Sequence, residues 1–222
     1  MNKLYLLIKR ISDVVLSIIA IAFFIIPWII ISIIIKIKSP GPVIYKAKRV
    51  GLNGKIFTLY KFRSMNVDSG EISLTTLKGD QRVYPFGQFL RDSKLDETPQ
   101  LLNVLFGQMS IIGPRPEDKI NSDIYYVSEY SEILKVKPGL SSPASLYDYT
   151  HGENYSTVEK YENEFLPKKL DMELYYVRHR NIVYDVEVIL RTIYTIVMIV
   201  FGCEKFKEPR EVELCKRNQE YY

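Results

Sequence analysis

Residues Val14–Ile35 read VVLSIIAIAFFIIPWIIISIII, without a single charged side chain. As a helix, about 22 residues rising ~1.5 Å each reach ~33 Å, close to the hydrocarbon thickness of a bilayer. The run has no small-residue cleavage site of the signal-peptide kind, and basic residues resume directly after it. It is therefore expected to stay in the chain and enter the membrane. Pro27 lies inside the run, where a missing N–H and a clash with the preceding turn favour a kink. Lys3, Lys9 and Arg10 precede the segment, and Lys36, Lys38, Lys46, Lys48 and Arg49 follow it. A single-pass helix would concentrate its cations on one side. A helix that dips in, bends at Pro27 and returns would keep both basic flanks at one anionic leaflet. The residues alone leave both geometries open, because kinked helices also span membranes.

A second apolar run, Val186–Gly202 (VEVILRTIYTIVMIVFG), is shorter and carries Arg191, Thr192 and Thr195 on one side at helical spacing. That pattern predicts an interfacial helix lying on the bilayer, with a buried core helix as the alternative. These two runs are too few for a polytopic protein. The 222 residues suit one domain with an appendage, and 25% charged with 47% hydrophobic residues predicts a globular chain. A net charge of +4 is too weak to imply a nucleic-acid partner. Cys203 and Cys215 form neither a metal-ligand spacing nor a disulfide framework, which fits a reducing, cytosol-facing compartment.

Beyond the membrane run, Val43–Met65 (VIYKAKRVGLNGKIFTLYKFRSM) predicts a β-hairpin around a two-residue Asn53-Gly54 turn. Lys61 and Arg63, two apart on its second strand, are expected to leave one face and could grip phosphate; a solvated or lipid-facing basic edge is the plainer reading. Asn66–Gln81 reads as a loop. Thr98 is placed to cap a helix that starts at Pro99, buries Leu101, Leu102, Val104 and Leu105, and stops at Gly107. Asp96 and Glu97 then fall at or just before a helix N-terminus, where free N–H groups favour anions. Acidic pairs in such places are often only caps. Here Arg91 lies upstream and Arg115 downstream, with Pro114 and Pro116 stiffening the backbone around Arg115. Carboxylates ringed by arginines suit a phosphate-and-metal site, one carboxylate attacking phosphorus and the other holding Mg²⁺.

Further on, Ile120–Val136 predicts a helix, and LSSPASLYDYTHGENY from Leu140 a loop. A tyrosine-rich helix follows, and Tyr175, Tyr176, Tyr184, Tyr221 and Tyr222 are candidates for interfacial aromatics or for core packing. His151 and His179 make no metal or triad spacing and are expected to face solvent.

Taken together, SPGPVIYKAKRVG, KIFTLYKFRSM, LDETPQLLNVLFGQMSIIGPRPE and LYYVRHRNIVYDVEVILRTI resemble, in order, the blocks of the bacterial sugar transferases of the monotopic phosphoglycosyl transferase family. The resemblance covers Lys9 to about Gly202. It implies an α-rich α+β monotopic enzyme with a re-entrant N-terminal helix broken at Pro27, a small hairpin and amphipathic interfacial helices. Residues 1–38 would be the membrane helix, 39–202 the cytosolic catalytic domain and 203–222 a C-terminal tail. The implied reaction moves a sugar 1-phosphate from a UDP-sugar to undecaprenyl phosphate on the cytoplasmic face of the inner or plasma membrane, releasing UMP. In that scheme Asp96 is the nucleophile, Glu97 binds Mg²⁺, and Arg115, Arg91, Lys61 and Arg63 contact phosphate. Self-association is compatible with a basic, aromatic membrane face, though no residue specifies an interface. The rival from another class is a membrane-tethered scaffold or regulator in which the Asp-Glu pair only caps its helix. Three positions depart from the family pattern. Ile26 stands where Ser often precedes the proline, Gln108 where Asp is common, and PGLSSPASL (Pro138–Leu146) replaces a Pro-Gly-(Ile/Leu)-Thr-Gly block.

Overall fold

A computed structural model of the chain describes residues 3–66, 82–152 and 158–219. Its first element, α1 (Lys3–Lys38), is one helix of 36 residues with Pro27 inside it. Where the sequence predicts a break, the α-helical backbone runs on through the proline. In an apolar segment every freed carbonyl needs a partner, so a helix with one missing bond is cheaper than an opened chain. Among the described residues α1 is the one helix long and apolar enough to cross a membrane.

Both ends of α1 rest on the same body. Near its start, Lys9 Nζ pairs with Asp185 at 2.8 Å, and Arg10 donates to the carbonyls of Val104 and Leu105 at 2.7 and 2.8 Å. Asp13 Oδ1 accepts from Ser110 Oγ and the Ile111 N–H. Near its end, Trp28 Nε1 donates to Thr98 Oγ1 at 2.8 Å, and Ile31 and Ile35 pack with Phe62 and Leu90. Between these anchors Ile18, Ile19, Phe23, Ile25 and Ile26 are exposed.

The hairpin forms as expected. β1 (Ile44–Val50) pairs antiparallel with β2 (Ile56–Phe62), Ile44 opposite Phe62 and Val50 opposite Ile56. Its connection is longer than the predicted two-residue turn. Residues 51–55 make a 3₁₀ turn in which Asn53 and Gly54 both take positive φ, 56° and 75°. α2 (Pro85–Asp92) leads through a 3₁₀ helix, Leu95–Gln100, into the short α3 (Leu101–Leu105), which stops at Gly107 with φ of 80°. β3 (Ser110–Ile112) and β4 (Gly139–Ser141) form a two-stranded parallel ladder. Gly113 and Gly139 make its close approach possible: a Cβ on Gly139 would sit 2.1 Å from the Gly113 nitrogen.

The predicted helix Ile120–Val136 is instead two pieces, α4 (Lys119–Tyr125) and a 3₁₀ helix Ser128–Lys135, because Ser128, at the start of the second, adopts φ of 50°. α5 (Pro143–His151) replaces the predicted loop; Ser142 Oγ caps it by accepting from the Ser145 N–H, with Pro143 at its first turn. α6 (Val158–Lys160) continues through a π turn, Tyr161–Phe165, into α7 (Leu166–His179), and α8 (Ile182–Val200) starts at the Asn181 cap. The main core gathers Ile112, Ile133, Leu146, Leu170, Tyr176 and Val188.

α8 is amphipathic in the inverse sense of a soluble helix. Arg191 reaches inward to Glu211, Thr192 meets Ser141 at 2.8 Å and Thr195 is buried, whereas Val186, Leu190, Ile193, Tyr194 and Val197 point outward. An apolar face turned away from the body is what an interfacial helix needs. The segment after it holds α9 (Arg210–Gln219), whose Val212 packs with Ala144, Tyr147, Phe165 and Met172. Tyr176 and Tyr184 are core residues, bonded to Asp185 and Glu211. His179 stacks on Tyr175 and His151 on Tyr147. The predicted loop, apart from Asn66, and Tyr221 and Tyr222 lie outside the described residues.

Candidate active site

Asp96 and Glu97 fall in the first turn of the 3₁₀ helix Leu95–Gln100, not before an α-helix, and Lys94 before them is left-handed at φ 56°. Thr98 does not cap. Its hydroxyl donates to the Leu95 carbonyl and accepts from Trp28, so a side chain of α1 has claimed the oxygen that a cap would use. The expected α-helical N-terminus is therefore not what surrounds the acidic pair.

Cations surround it instead. Asp96 is 3% exposed, with Oδ2 3.8 Å from Lys61 Nζ and Oδ1 buried without a hydrogen-bond partner. Burial and the charge of Glu97 push its carboxyl up to about 6, against the pull of Lys61, Lys94 and Arg91. Glu97 Oε1 accepts from Arg115 Nη2 at 3.3 Å. Burial acts to raise Glu97 too, but Arg115, Lys94 and Lys61 outweigh it and hold that carboxyl at about 2. The pair thus combines one carboxylate fixed in its charged form with a neighbour poised to titrate. Burial depresses the Lys61 ammonium, which Asp96 and Glu97 counter.

Arg115 extends the β3–β4 ladder. The Gly113 N–H donates to the Ser141 carbonyl and the Gly139 N–H to the Pro114 carbonyl, at 3.0 and 2.8 Å. Pro114 and Pro116 have no N–H, and that of Arg115 donates to Glu173 Oε1 at 3.0 Å. Burial pushes the Glu173 carboxyl up to about 7. Arg91 lies close enough for its charge to act on Asp96 and Lys61, while its Nε donates to Ser64 Oγ at 3.1 Å.

Arg63 is not brought to the pair. β2 ends at Phe62, so Arg63 leaves the strand's alternation; its buried guanidinium donates to the carbonyls of Ser39 and Pro40, just past α1. Residues without a local sequence signal complete the surroundings. Lys169 joins Glu117 at 3.2 Å and Asp148 at 3.8 Å, and Lys94 lies 4.2 Å from the centre of the Tyr149 ring. Asn103 ties α3 to β2 through the Thr58 carbonyl and the Tyr60 N–H, and also donates to Gln108 Oε1, so the departure at Gln108 serves this brace.

No group of three or more His, Cys, Asp or Glu side chains forms a ready cation cage among the described residues. The pair still fits Mg²⁺, which commonly takes one or two carboxylates and completes its shell with water and substrate phosphate. The buried, partnerless Asp96 Oδ1 beside Glu97 is the kind of acceptor such an ion satisfies.

The family model described as bacterial sugar transferase matches residues 4–199. The chain belongs to that family. It is 35% identical over 197 residues to the UDP-glucose:undecaprenyl-phosphate glucose-1-phosphate transferase of Klebsiella pneumoniae, covering 87% of this chain and 41% of that protein. It is 34% identical to the UDP-N-acetylgalactosamine-undecaprenyl-phosphate N-acetylgalactosaminephosphotransferase of Aeromonas hydrophila, covering 88% and 45%. The Exopolysaccharide production protein PSS of Rhizobium leguminosarum bv. phaseoli, 33% identical, is covered over 94% of its length by 85% of this chain. The chain spans less than half the length of the first two of these relatives.

Proposed function

We propose that the chain transfers a sugar 1-phosphate from a UDP-sugar to undecaprenyl phosphate, releasing UMP, as the initiating step of capsule, exopolysaccharide or related surface-glycan synthesis. The observation that carries this reading is the buried Asp96–Glu97 pair within a ring formed by Lys61, Lys94, Arg91 and Arg115. An Asp96 carboxylate oxygen attacks the sugar-bearing phosphorus, the bond to the UMP oxygen breaks, and UMP leaves with that electron pair. An oxygen of the lipid phosphate then attacks the same phosphorus and returns Asp96 as a carboxylate. Splitting the transfer keeps two anionic substrates from having to meet directly. Arg115, held at Glu97, and Lys61, beside Asp96, offset the charge that shifts between oxygens. Glu97, with Asp96 Oδ1, would hold Mg²⁺, which supplies charge neutralisation on the phosphoryl oxygens.

The protein is read as monotopic, residues 1–38 entering the cytoplasmic leaflet and returning as a continuous helix that bends at Pro27 without breaking, with 39–202 as the catalytic part. Support comes from α1 being bonded at both ends to one body, at Lys9–Arg10 and at Trp28. A straight span would carry those ends to opposite bilayer faces. The outward apolar face of α8 would rest on the same lipid surface. The relatives' names differ in their sugar, so the donor is left as a UDP-sugar. UMP release by the detergent-purified protein with undecaprenyl phosphate, Mg²⁺ and a panel of UDP-sugars tests the reading. Release from one donor, abolished by Asp96→Asn, is expected; unchanged release in that variant would overturn it.

A further inference from the structure

Glu173 is 1% exposed on α7, in the interior behind the Pro-Arg-Pro turn. Its Oε1 accepts two hydrogen bonds, from the Arg115 N–H and from Ser142 Oγ, each at 3.0 Å. Those donors belong to the segments that leave β3 and β4. The backbone ladder between these strands ends where Gly113 donates to Ser141 and Gly139 to Pro114. One residue further, the Arg115 N–H goes to a side-chain carboxylate that also accepts from Ser142 and so joins the two segments, and Pro116 after it has no N–H to offer. Ser142 also caps α5, so this one oxygen links the Arg115 turn, the start of α5 and α7.

The energetics make Glu173 an expensive way to fill space. Its Oε2 is buried with no hydrogen-bond partner, a cost that an apolar side chain of similar size would not incur. What the carboxylate does supply is a fixed acceptor for the single N–H of a Pro-flanked arginine. Arg115 is the residue whose guanidinium meets Glu97. Displacement of the Arg115 backbone by a fraction of an ångström is transmitted to that contact, since prolines on both sides leave the backbone little freedom to compensate.

On the reading of the site given above, we propose that Glu173 is a positioning residue for the transfer reaction: it sets Arg115 against Glu97 by holding the Arg115 N–H from the interior. It touches neither donor nor acceptor itself.

The test measures UMP release in the full-length protein for Glu173→Ala, Glu173→Asp and Glu173→Gln, each alone and combined with Arg115→Ala, with thermal unfolding run on every variant. Glu173→Asp keeps the carboxyl group but withdraws the acceptor by one methylene, so it serves if the alanine variant does not fold. Turnover should fall about 10- to 100-fold in the Asp and Ala variants, as misplacement of a catalytic contact does. Glu173→Gln, which keeps an acceptor oxygen, should restore turnover to within about threefold of wild type. In the Arg115→Ala background the Glu173 substitutions should add less than about a twofold further loss, because coupled residues are not additive. A folded Glu173→Asp variant with wild-type turnover overturns the proposal, and so does a loss of equal size in both backgrounds. If the wild-type protein itself releases no UMP from any donor, the reading of the site falls and this inference with it. An active wild type with an indifferent Glu173 sinks the inference alone.

Discussion

Lys61 Nζ stands 3.8 Å from Asp96 Oδ2, joining the second strand of the hairpin to the 3₁₀ helix that carries the acidic pair. The lysine lowers a carboxyl that burial and Glu97 both raise. Replacing it with methionine keeps the bulk and removes the charge. The acid limb of the pH–turnover profile, where Asp96 must lose its proton to attack, should then move to higher pH, and Lys61→Arg should return it most of the way. An unmoved limb in Lys61→Met would separate the lysine from the carboxylate.

A buried carboxyl raised to about 6 also has a stability signature. Folding favours its protonated form, so the stability it contributes is complete below its unfolded value near 4 and is lost as pH rises through about 6. Asp96→Asn removes that dependence. Without added metal, the variant should be more stable than wild type by about 2 kcal/mol at about pH 8, with the gap closing below about pH 4. Denaturant or thermal unfolding at both pH values measures it; a variant less stable at alkaline pH would contradict the assignment.

Arg63 and Arg115 should behave oppositely. Arg63 closes the carbonyls of Ser39 and Pro40 from a buried position, so Arg63→Ala should cost about 1–3 kcal/mol of stability, with loss of activity following loss of fold. Arg115→Ala should lower turnover about 100-fold or more, and because it takes from Glu97 the cation that holds it charged, it should also cost some stability, limited to about 1 kcal/mol since the guanidinium is partly exposed and water can take its place. Parallel unfolding and UMP-release measurements on the two variants distinguish a structural arginine from a site arginine.

The C-terminal segment offers a fourth test. Glu211 is fully buried, accepting from both terminal nitrogens of Arg191 at 2.7 and 3.1 Å and from Tyr184 OH at 2.8 Å. Glu211→Ala leaves these donors facing a cavity and should destabilise the protein by about 3 kcal/mol. Little change in unfolding would mean that α9 is not docked as described.

These outcomes mark which features were legible in the sequence. The hairpin was, because alternating side chains and an Asn-Gly pair act locally; the length of its turn was not, since φ signals do not fix the register. The proximity of Arg115 to the acidic pair and the stop at Gly107 were legible as well. Thr98 misled because its capping oxygen is taken by Trp28, 70 residues away in sequence. α5 carried a usable signal in Ser142-Pro143, a cap followed by a first-turn proline, which the run of small and aromatic residues obscured. Glu173 and Glu211 gave none. An acidic residue in a helix reads as solvent-facing until tertiary packing supplies its donors.

The most direct test of the central claim is a covalent adduct on Asp96. The purified protein would be incubated with Mg²⁺ and its UDP-sugar, without undecaprenyl phosphate, then quenched in acid, digested and analysed by mass spectrometry. The expected result is one sugar-phosphate increment on the peptide containing Asp96, absent in Asp96→Asn and discharged when undecaprenyl phosphate is added before the quench. Turnover that proceeds with no adduct, or an adduct on another residue, would contradict Asp96 as the nucleophile.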